Sequence, residues 1–171
     1  SWRGSATPLR ASLALLFGLS LLAAAPAAGQ GNCPAVELKY DDSEQISEKR
    51  TDTNKDCRHD QVVFFEDGKP QRSEQDSNFD GRVDIWIIYG ADGKPSRQEI
   101  DTNGDGKRDR WVQLQDGVPR NQLDDKNGDG KPDSTLYFVG GGPEKLEEDS
   151  NFDGRTDRTI VYRGSKPAVI E

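Results

Sequence analysis

The chain has little material with which to build a hydrophobic core. Only 32% of its 171 residues are hydrophobic and 8% are aromatic, whereas 32% are charged. A globular domain usually contains more apolar residues than this. The length corresponds to a single domain, which either stays disordered or is stabilised by metal ions or a disulfide.

Histidine occurs only once, as His59. No Ser or Cys nucleophile elsewhere in the chain therefore has a histidine base with which to pair. Pairs of carboxylates can cleave glycosides, but nearly all the aspartates belong to repeated loops that already give them a structural role. We therefore expect His59 to be an exposed loop residue and the protein not to be an enzyme.

Long hydrophobic runs are also scarce. The longest covers residues 13–25, which is shorter than the roughly 20 residues needed to span a bilayer. It follows two arginines and precedes a stretch of small residues, the order found in secretory signal peptides. We interpret residues 1–29 as a signal peptide, with a single membrane anchor as the alternative. The mature chain, without a transmembrane span, would be secreted, periplasmic or on the outer surface.

Basic residues are outnumbered, with 23 Lys and Arg against 31 Asp and Glu and a formal net charge of −8. Residues 1–29 contain two arginines and no acidic residues, so the mature chain is more acidic still. This charge argues against binding to nucleic acid or to anionic membranes. It suits cations, and five Ca²⁺ ions would offset the whole excess.

One nine-residue loop, Asp-x-Asn-x-Asp-Gly-x-x-Asp, recurs five times at steps of 24 or 25 residues. We number the copies loop one (52–60), loop two (76–84), loop three (101–109), loop four (125–133) and loop five (149–157). Each copy places hard oxygen ligands at positions 1, 3, 5 and 9 and a turn glycine at position 6, which is replaced by Cys57 in loop one. Oxygen-only ligands on a tight loop favour Ca²⁺ over Mg²⁺ or Zn²⁺.

Plain polar turns would explain one such loop but not five with the same ligand positions. Three carboxylates within nine residues also repel one another unless a cation lies between them. The predicted side-chain ligands are Asp52, Asn54, Asp56 and Asp60 in loop one, Asp76, Asn78, Asp80 and Asp84 in loop two, Asp101, Asn103, Asp105 and Asp109 in loop three, Asp125, Asn127, Asp129 and Asp133 in loop four, and Asp149, Asn151, Asp153 and Asp157 in loop five.

The segments between the loops have the pattern of β-hairpins. The third and fifth residues after each loop are apolar in every copy, which is the period of a strand. The two columns are Val63, Ile87, Val112, Leu136 and Ile160, and Phe65, Tyr89, Leu114, Phe138 and Tyr162. Turn sequences such as Asp-Gly-Lys-Pro then lead into a second, more polar strand. No segment after residue 30 shows helical periodicity.

The predicted fold is therefore all-β. We expect an extended antiparallel meander of about five 24-residue hairpin repeats, joined by the loops and covering residues 52–171. Residues 36–51 would form an N-terminal capping hairpin after a short linker at 30–35. A β-solenoid with about 24 residues per coil is the alternative.

The two cysteines are Cys33 and Cys57. In a secreted protein they are expected to form a disulfide, which would join the first strand to loop one. Two alternatives stay open, namely a lipid attached to Cys33, as in a lipoprotein, and two free thiols.

The loop resembles the short EF-hand-like calcium loops of bacterial dockerins, thrombospondin type 3 repeats and integrin-type β-propeller hairpins. The propeller loop is the most similar, because it also joins two strands. The Tyr-x-x-Asp-Gly-Lys-Pro hairpins resemble MORN-type repeats of bacterial surface proteins. The chain departs from EF-hands at loop position 12, where it lacks Glu, from dockerins by having no helix, and from propellers by its shorter repeat.

This resemblance implies ion binding through the predicted side chains and through a backbone carbonyl at position 7. The position-7 residues are Arg58, Arg82, Lys107, Lys131 and Arg155. Position 6 usually needs a positive φ, which disfavours residues other than glycine. Because Cys57 occupies that position, loop one is the most doubtful of the five sites.

We expect a secreted or cell-surface calcium-binding repeat protein, stabilised by Ca²⁺, with a structural or adhesive role. The alternative is a calcium-dependent carbohydrate- or protein-binding module that uses Trp86 and Trp111. The expected partner is a surface polysaccharide or another surface protein.

Overall fold

The computed structural model describes residues 33–164 and 166–170. The segment interpreted as a signal peptide, 1–29, lies outside the described residues, as does the beginning of the 30–35 linker. Within the described ranges, no helix is long and apolar enough to cross a membrane.

Twelve β-strands form a single sheet in which the strands follow one another in sequence order. They are β1 Val36–Tyr40, β2 Ile46–Thr51, β3 Gln61–Glu66, β4 Lys69–Gln75, β5 Ile85–Tyr89, β6 Pro95–Ile100, β7 Arg110–Gln115, β8 Val118–Asp124, β9 Ser134–Val139, β10 Gly142–Glu148, β11 Arg158–Arg163 and β12 Lys166–Ile170. Every strand pairs antiparallel with the next one.

The predicted all-β meander is confirmed, and the solenoid alternative is wrong. In a β-solenoid, equivalent strands of successive coils would lie parallel and side by side, but here each strand pairs with its neighbour in sequence. The short connections explain this choice, since a tight turn can join only antiparallel strands. The strands β1 and β2 form the hairpin that lies in the segment assigned to the N-terminal cap.

Because neighbouring strands run in opposite directions, successive connections lie alternately on the two sides of the sheet where strands begin and end. We call these two sides the edges of the sheet. One edge carries the tight turns of the hairpins, such as Asp67–Gly68 and Asp116–Gly117, where both residues have positive φ. This conformation matches the twist of paired strands and is favoured by Asp-Gly. The opposite edge carries all five of the longer Asp-rich loops, which consequently lie in one row.

The apolar columns of the hairpins lie on one face of the sheet, which we call the first face. Val63, Ile87 and Val112 are linked across the intervening strands by direct register partners, and such partners share a face. Among the described residues only Val112 and Ile160 are buried hydrophobic residues. The burial of apolar surface, which is the main driving force for folding, is therefore small for this chain.

Each strand contacts only the strands next to it in the sequence. This is the arrangement of a repeat protein, in which stability is approximately the sum of terms for each repeat and for each junction between neighbours. No described segment covers either face of the sheet.

The disulfide predicted between Cys33 and Cys57 is present, with a Cα–Cα distance of 5.4 Å. It ties the residues just before β1 to position 6 of loop one. Because both sulfur atoms are used in this bond, Cys33 cannot carry a thioether-linked lipid at the same time.

Candidate metal centres

The five loops share one backbone conformation. Positions 4 and 6 both have positive φ in every loop, including the non-glycine residues Lys55, Phe79 and Phe152 at position 4 and Cys57 at position 6. The two left-handed residues turn the chain sharply, so that its amide groups point towards the interior of the loop.

The aspartate at position 1 accepts hydrogen bonds from these amides. In loop three, the N–H groups of Gly104 and Gly106 donate to the two carboxylate oxygens of Asp101, each at 2.7 Å. In every loop the position-6 amide donates to the same carboxylate, at 2.7–2.9 Å. The position-1 carboxylate is thus held in one orientation while it retains lone pairs for a further partner.

The side chains at positions 3 and 5 follow the same rule. In loop three, the Asp105 N–H donates to Asn103 Oδ1 at 2.9 Å and the Lys107 N–H donates to Asp105 Oδ1 at 2.8 Å. The equivalent bonds occur in the other four loops at 2.8–3.0 Å. The Asn and Asp side chains therefore turn back over the loop instead of extending into solvent.

The aspartate at position 9 closes each loop by accepting hydrogen bonds from position 2. In loop one, the backbone N–H and the hydroxyl of Thr53 donate to Asp60 Oδ2 at 2.7 and 2.6 Å. The hydroxyl bond of Thr53 is the main reason why the pKa of Asp60 is lowered. The hydroxyl of Ser150 lowers the pKa of Asp157 in loop five in the same way. Both carboxylates are therefore ionised at neutral pH.

In loop one, Asp52, Asp56 and Asp60 form a group that could hold a metal ion. One carboxylate oxygen from each lies within 4.8 Å of the others. Asp52 and Asp60 are buried, each 5% exposed, whereas Asp56 is exposed. Three negative charges at this separation repel one another strongly, and a cation between them would reverse the sign of that interaction.

The residue that made loop one the most doubtful site does not disturb the loop. Cys57 has a φ of 72°, and its amide donates to Asp52 Oδ2 at 2.9 Å, as the glycines do in the other loops. The disulfide to Cys33 attaches this residue to the beginning of the sheet.

The predicted ligands fall into a buried set and an exposed set. The aspartates at positions 1 and 9 are buried in every loop, except that Asp157 at the end of loop five is exposed. Positions 3, 5 and 7 are exposed in all five loops. Asp157 belongs to the last of the described loops, and no further described loop lies beside it.

Backbone hydrogen bonds join each loop to the next. The N–H groups of Asp76 and Asp101 donate to the carbonyl oxygens of Asp60 and Asp84 at 2.7 and 2.9 Å. The same bond joins Asp125 to Asp109 and Asp149 to Asp133. Two strands separate successive loops, so the loops repeat about every 9–10 Å along the edge.

In loops two to five, position 8 lies near the preceding repeat, a relationship that the sequence did not reveal. Its neighbour there is the second residue of the strand that follows the preceding loop. The pairs are Val62 with Val83, Trp86 with Arg108, Trp111 with Pro132, and Thr135 with Thr156. Arg108 contacts the Trp86 ring, and each of the other three pairs lines a common cleft.

Comparisons with known proteins give no family for this chain. No protein-family model matches it, and no curated protein matches it. Among solved structures it is similar to accessory secretory protein 1, 2 and 3 of Streptococcus pneumoniae, with 12% identity and a TM-score of 0.46 over 70% of this chain and 22% of that one. It is also similar to TarM, with 21% identity and a TM-score of 0.34 over 48% of this chain and 18% of that one. The chain spans about a fifth of these proteins, and likenesses this distant carry no functional argument.

Proposed function

We propose that this protein is a secreted or cell-surface calcium-binding repeat protein in which each of the five loops binds one Ca²⁺ ion. The observation that carries the proposal is the group formed by Asp52, Asp56 and Asp60, whose ligand oxygens lie within 4.8 Å of one another. The other four loops have the same ligand positions and the same hydrogen bond from the position-6 amide to the position-1 carboxylate, which supports extending the proposal to all five.

The chemistry of the donors favours calcium. The side chains at positions 1, 3, 5 and 9 offer only carboxylate and amide oxygens, which suit hard cations. Ca²⁺ accepts six to eight oxygens in flexible geometry, whereas Mg²⁺ demands a nearly ideal octahedron and usually keeps several waters. The one sulfur near a loop, that of Cys57, is bonded to Cys33 and offers no thiolate to Zn²⁺. The carbonyl oxygens at position 7 would complete the coordination.

The proposed role is structural or adhesive and not enzymatic. Few hydrophobic residues are buried, and the aspartates at positions 1 and 9 bring negative charge into the junctions between repeats. Calcium would neutralise that charge and link the loops into a stiff row. The binding free energy would then contribute directly to the stability of the fold.

Location outside the cytoplasm belongs to the same proposal. The disulfide between Cys33 and Cys57 is of a kind that persists in oxidising compartments, and extracellular calcium reaches concentrations that weak sites can bind. Removal of residues 1–29 during export completes this interpretation.

Calorimetric titration tests the proposal. We expect five Ca²⁺ ions per chain, one for each loop, with dissociation constants on the order of 10⁻⁴–10⁻³ M, as in extracellular modules. Asp109→Asn should remove one ion from the stoichiometry. Asp67→Asn, in a turn at the opposite edge, is the matched control and should leave the stoichiometry unchanged. Fewer than three ions at millimolar calcium would overturn the proposal.

A further inference from the structure

The second face of the sheet, opposite the apolar columns, carries a regular pattern of ion pairs. On β4, β6 and β10 a basic residue is followed two positions later by Glu, and the two side chains form a salt bridge. The pairs are Arg72 with Glu74, Arg97 with Glu99, and Lys145 with Glu147. Three of the more polar strands thus present paired charges on this face.

The strand β8 departs from this pattern. At the two equivalent positions it has Asn121 and Leu123, so the ion pair is replaced by an amide and an aliphatic side chain. Their register partners on β7 are Gln113 and Trp111. These four uncharged residues form a patch, which we call the neutral patch, between the ion pairs of β6 and β10.

The two tryptophans on this face differ in what covers them. The guanidinium of Arg108, at position 8 of loop three, lies 4.2 Å from the centre of the Trp86 ring. Position 8 of the next loop is Pro132, which has no such group, and no cation lies over the Trp111 ring within the described ranges. Trp111 is only partly buried. Its ring can therefore stack on a ligand, whereas the corresponding face of the Trp86 ring is occupied by Arg108.

The space beside Trp111 is a groove of about 320 Å³, a volume at the lower end of the range of about 300–1,000 Å³ for small-ligand sites. The sheet residues Arg97, Gln113 and Leu123 line it together with Trp111. Loop four closes one side through Gly130 and Pro132.

Hydrogen-bonding groups at the neutral patch are amides. The Gln113 side chain is exposed on the groove. Its neighbour Asn121 has a buried Oδ1 that is the one buried side-chain oxygen or nitrogen without a hydrogen-bond partner among the described residues. This oxygen is closed to solvent and Asn121 does not line the groove, so Gln113 supplies the amide that a ligand in the groove can reach. Arg97 is already paired with Glu99 at 2.9 Å, so the groove has little net charge.

We infer that this groove binds an uncharged glycan, with one sugar ring stacked on Trp111 and its hydroxyl groups hydrogen-bonded to Gln113. A pyranose ring presents an apolar C–H face and a rim of hydroxyls, which matches an aromatic ring beside the Gln113 amide, which can donate and accept. An acidic glycan fits less well, because the groove lacks an unpaired cation and the chain has a net charge of −8. This site goes beyond calcium binding, since the stacking and the hydrogen bonds come from the sheet.

The site is tested with soluble neutral hexasaccharides of glucose, mannose or galactose, and with hexagalacturonate as the acidic counterpart, against the full chain in millimolar calcium. We expect at least one neutral hexasaccharide to bind more tightly than hexagalacturonate. Trp111→Ala should weaken that binding at least about tenfold, as is usual for a central aromatic contact. Gln113→Ala, at an exposed position, should also weaken it.

The sharpest variant is Pro132→Arg, which gives Trp111 the same cover that Arg108 gives Trp86. It should abolish glycan binding, while the melting temperature and the number of bound calcium ions stay unchanged. Val83→Arg places arginine at the same position of loop two, over Val62, and should leave glycan binding unaffected. No binding to any neutral hexasaccharide, tighter binding of hexagalacturonate, or full binding by both Trp111→Ala and Pro132→Arg would overturn the inference. Calcium stoichiometry, measured on the same samples, separates this failure from a failure of the calcium proposal.

Discussion

The N–H group of Asp76 donates a 2.7 Å hydrogen bond to the carbonyl oxygen of Asp60, so the first residue of loop two is bonded to the last residue of loop one. Both carboxylates belong to predicted calcium sites, and both side chains are buried. We therefore expect a change in the conformation of one loop to be transmitted through the backbone to the next loop, so that the five sites are coupled.

Coupling predicts that a central loop matters more than a terminal one. Asp105→Ala removes the position-5 ligand from loop three, which has a neighbouring loop on each side, whereas Asp153→Ala does so in loop five, which has only one. Because stability depends on junctions between neighbours, we expect the larger loss of calcium-dependent stability for Asp105→Ala. Thermal unfolding in saturating calcium measures both. Equal losses would mean that the loops act independently.

Removal of calcium should destabilise the whole sheet. The small hydrophobic core offsets little of the conformational entropy lost on folding, so ion binding is expected to supply much of the difference. Adding EGTA should lower the melting temperature by more than about 10 °C, which corresponds to a few kcal/mol for a chain of this size. The control is EGTA with excess calcium, which should restore the original curve. A melting temperature indifferent to EGTA would show that the strands hold together without metal.

The left-handed conformation at position 6 can be tested at Cys57, whose φ is 72°. Loss of the disulfide in Cys33→Ser/Cys57→Ser should destabilise the protein by about 3 kcal/mol, given the 24-residue separation. The double variant Cys33→Ser/Cys57→Gly lacks the same bond, but glycine adopts positive φ without steric penalty. It should be about 1 kcal/mol more stable than the serine variant. Denaturant unfolding compares the two, and equal stability would contradict a requirement for positive φ at this position.

Export and the state of the cysteines are tested by mass spectrometry of protein secreted from cells. We expect residues 1–29 to be missing and the mass to be lower than that of the reduced chain by two hydrogen atoms, because Cys33 and Cys57 are joined. Reduction and alkylation of the same sample should then label both cysteines. A diacylglyceryl group on Cys33 would contradict this expectation and would place the protein on a membrane surface.

The meander could be predicted from the sequence because two kinds of strand-ending connection alternate along the chain. Asp-rich loops and Asp-Gly turns each end a short strand, and connections this short leave only antiparallel neighbours. The disulfide was predictable because Cys57 replaces a glycine that the other four loops retain. Both features are local, so a comparison of one repeat with the others was sufficient to predict them.

The remaining features depend on contacts between repeats. Gly104 and Gly128 suggest a positive φ at loop position 4. The other three loops have Lys55, Phe79 and Phe152 there, which adopt positive φ although their residue types do not favour it. The aromatic side chains of Phe79 and Phe152 at this position are about half exposed.

The difference between the two tryptophans was also hidden. Trp86 and Trp111 occupy the same column, and the residue that covers or spares each ring lies 21 or 22 residues further along the chain. Only the register between a strand and the next loop brings these positions together.

Because each strand contacts only its neighbours in the sequence, a repeat can be gained or lost during evolution without disturbing the contacts within the other repeats. Duplicating one unit of 24 or 25 residues inserts two strands and one loop, and it creates one new junction while leaving every other junction as it was. Each added unit extends the row of loops by about 9–10 Å. Gain or loss of a repeat therefore changes the length of the sheet and the number of proposed ion sites together, without a change in any existing site.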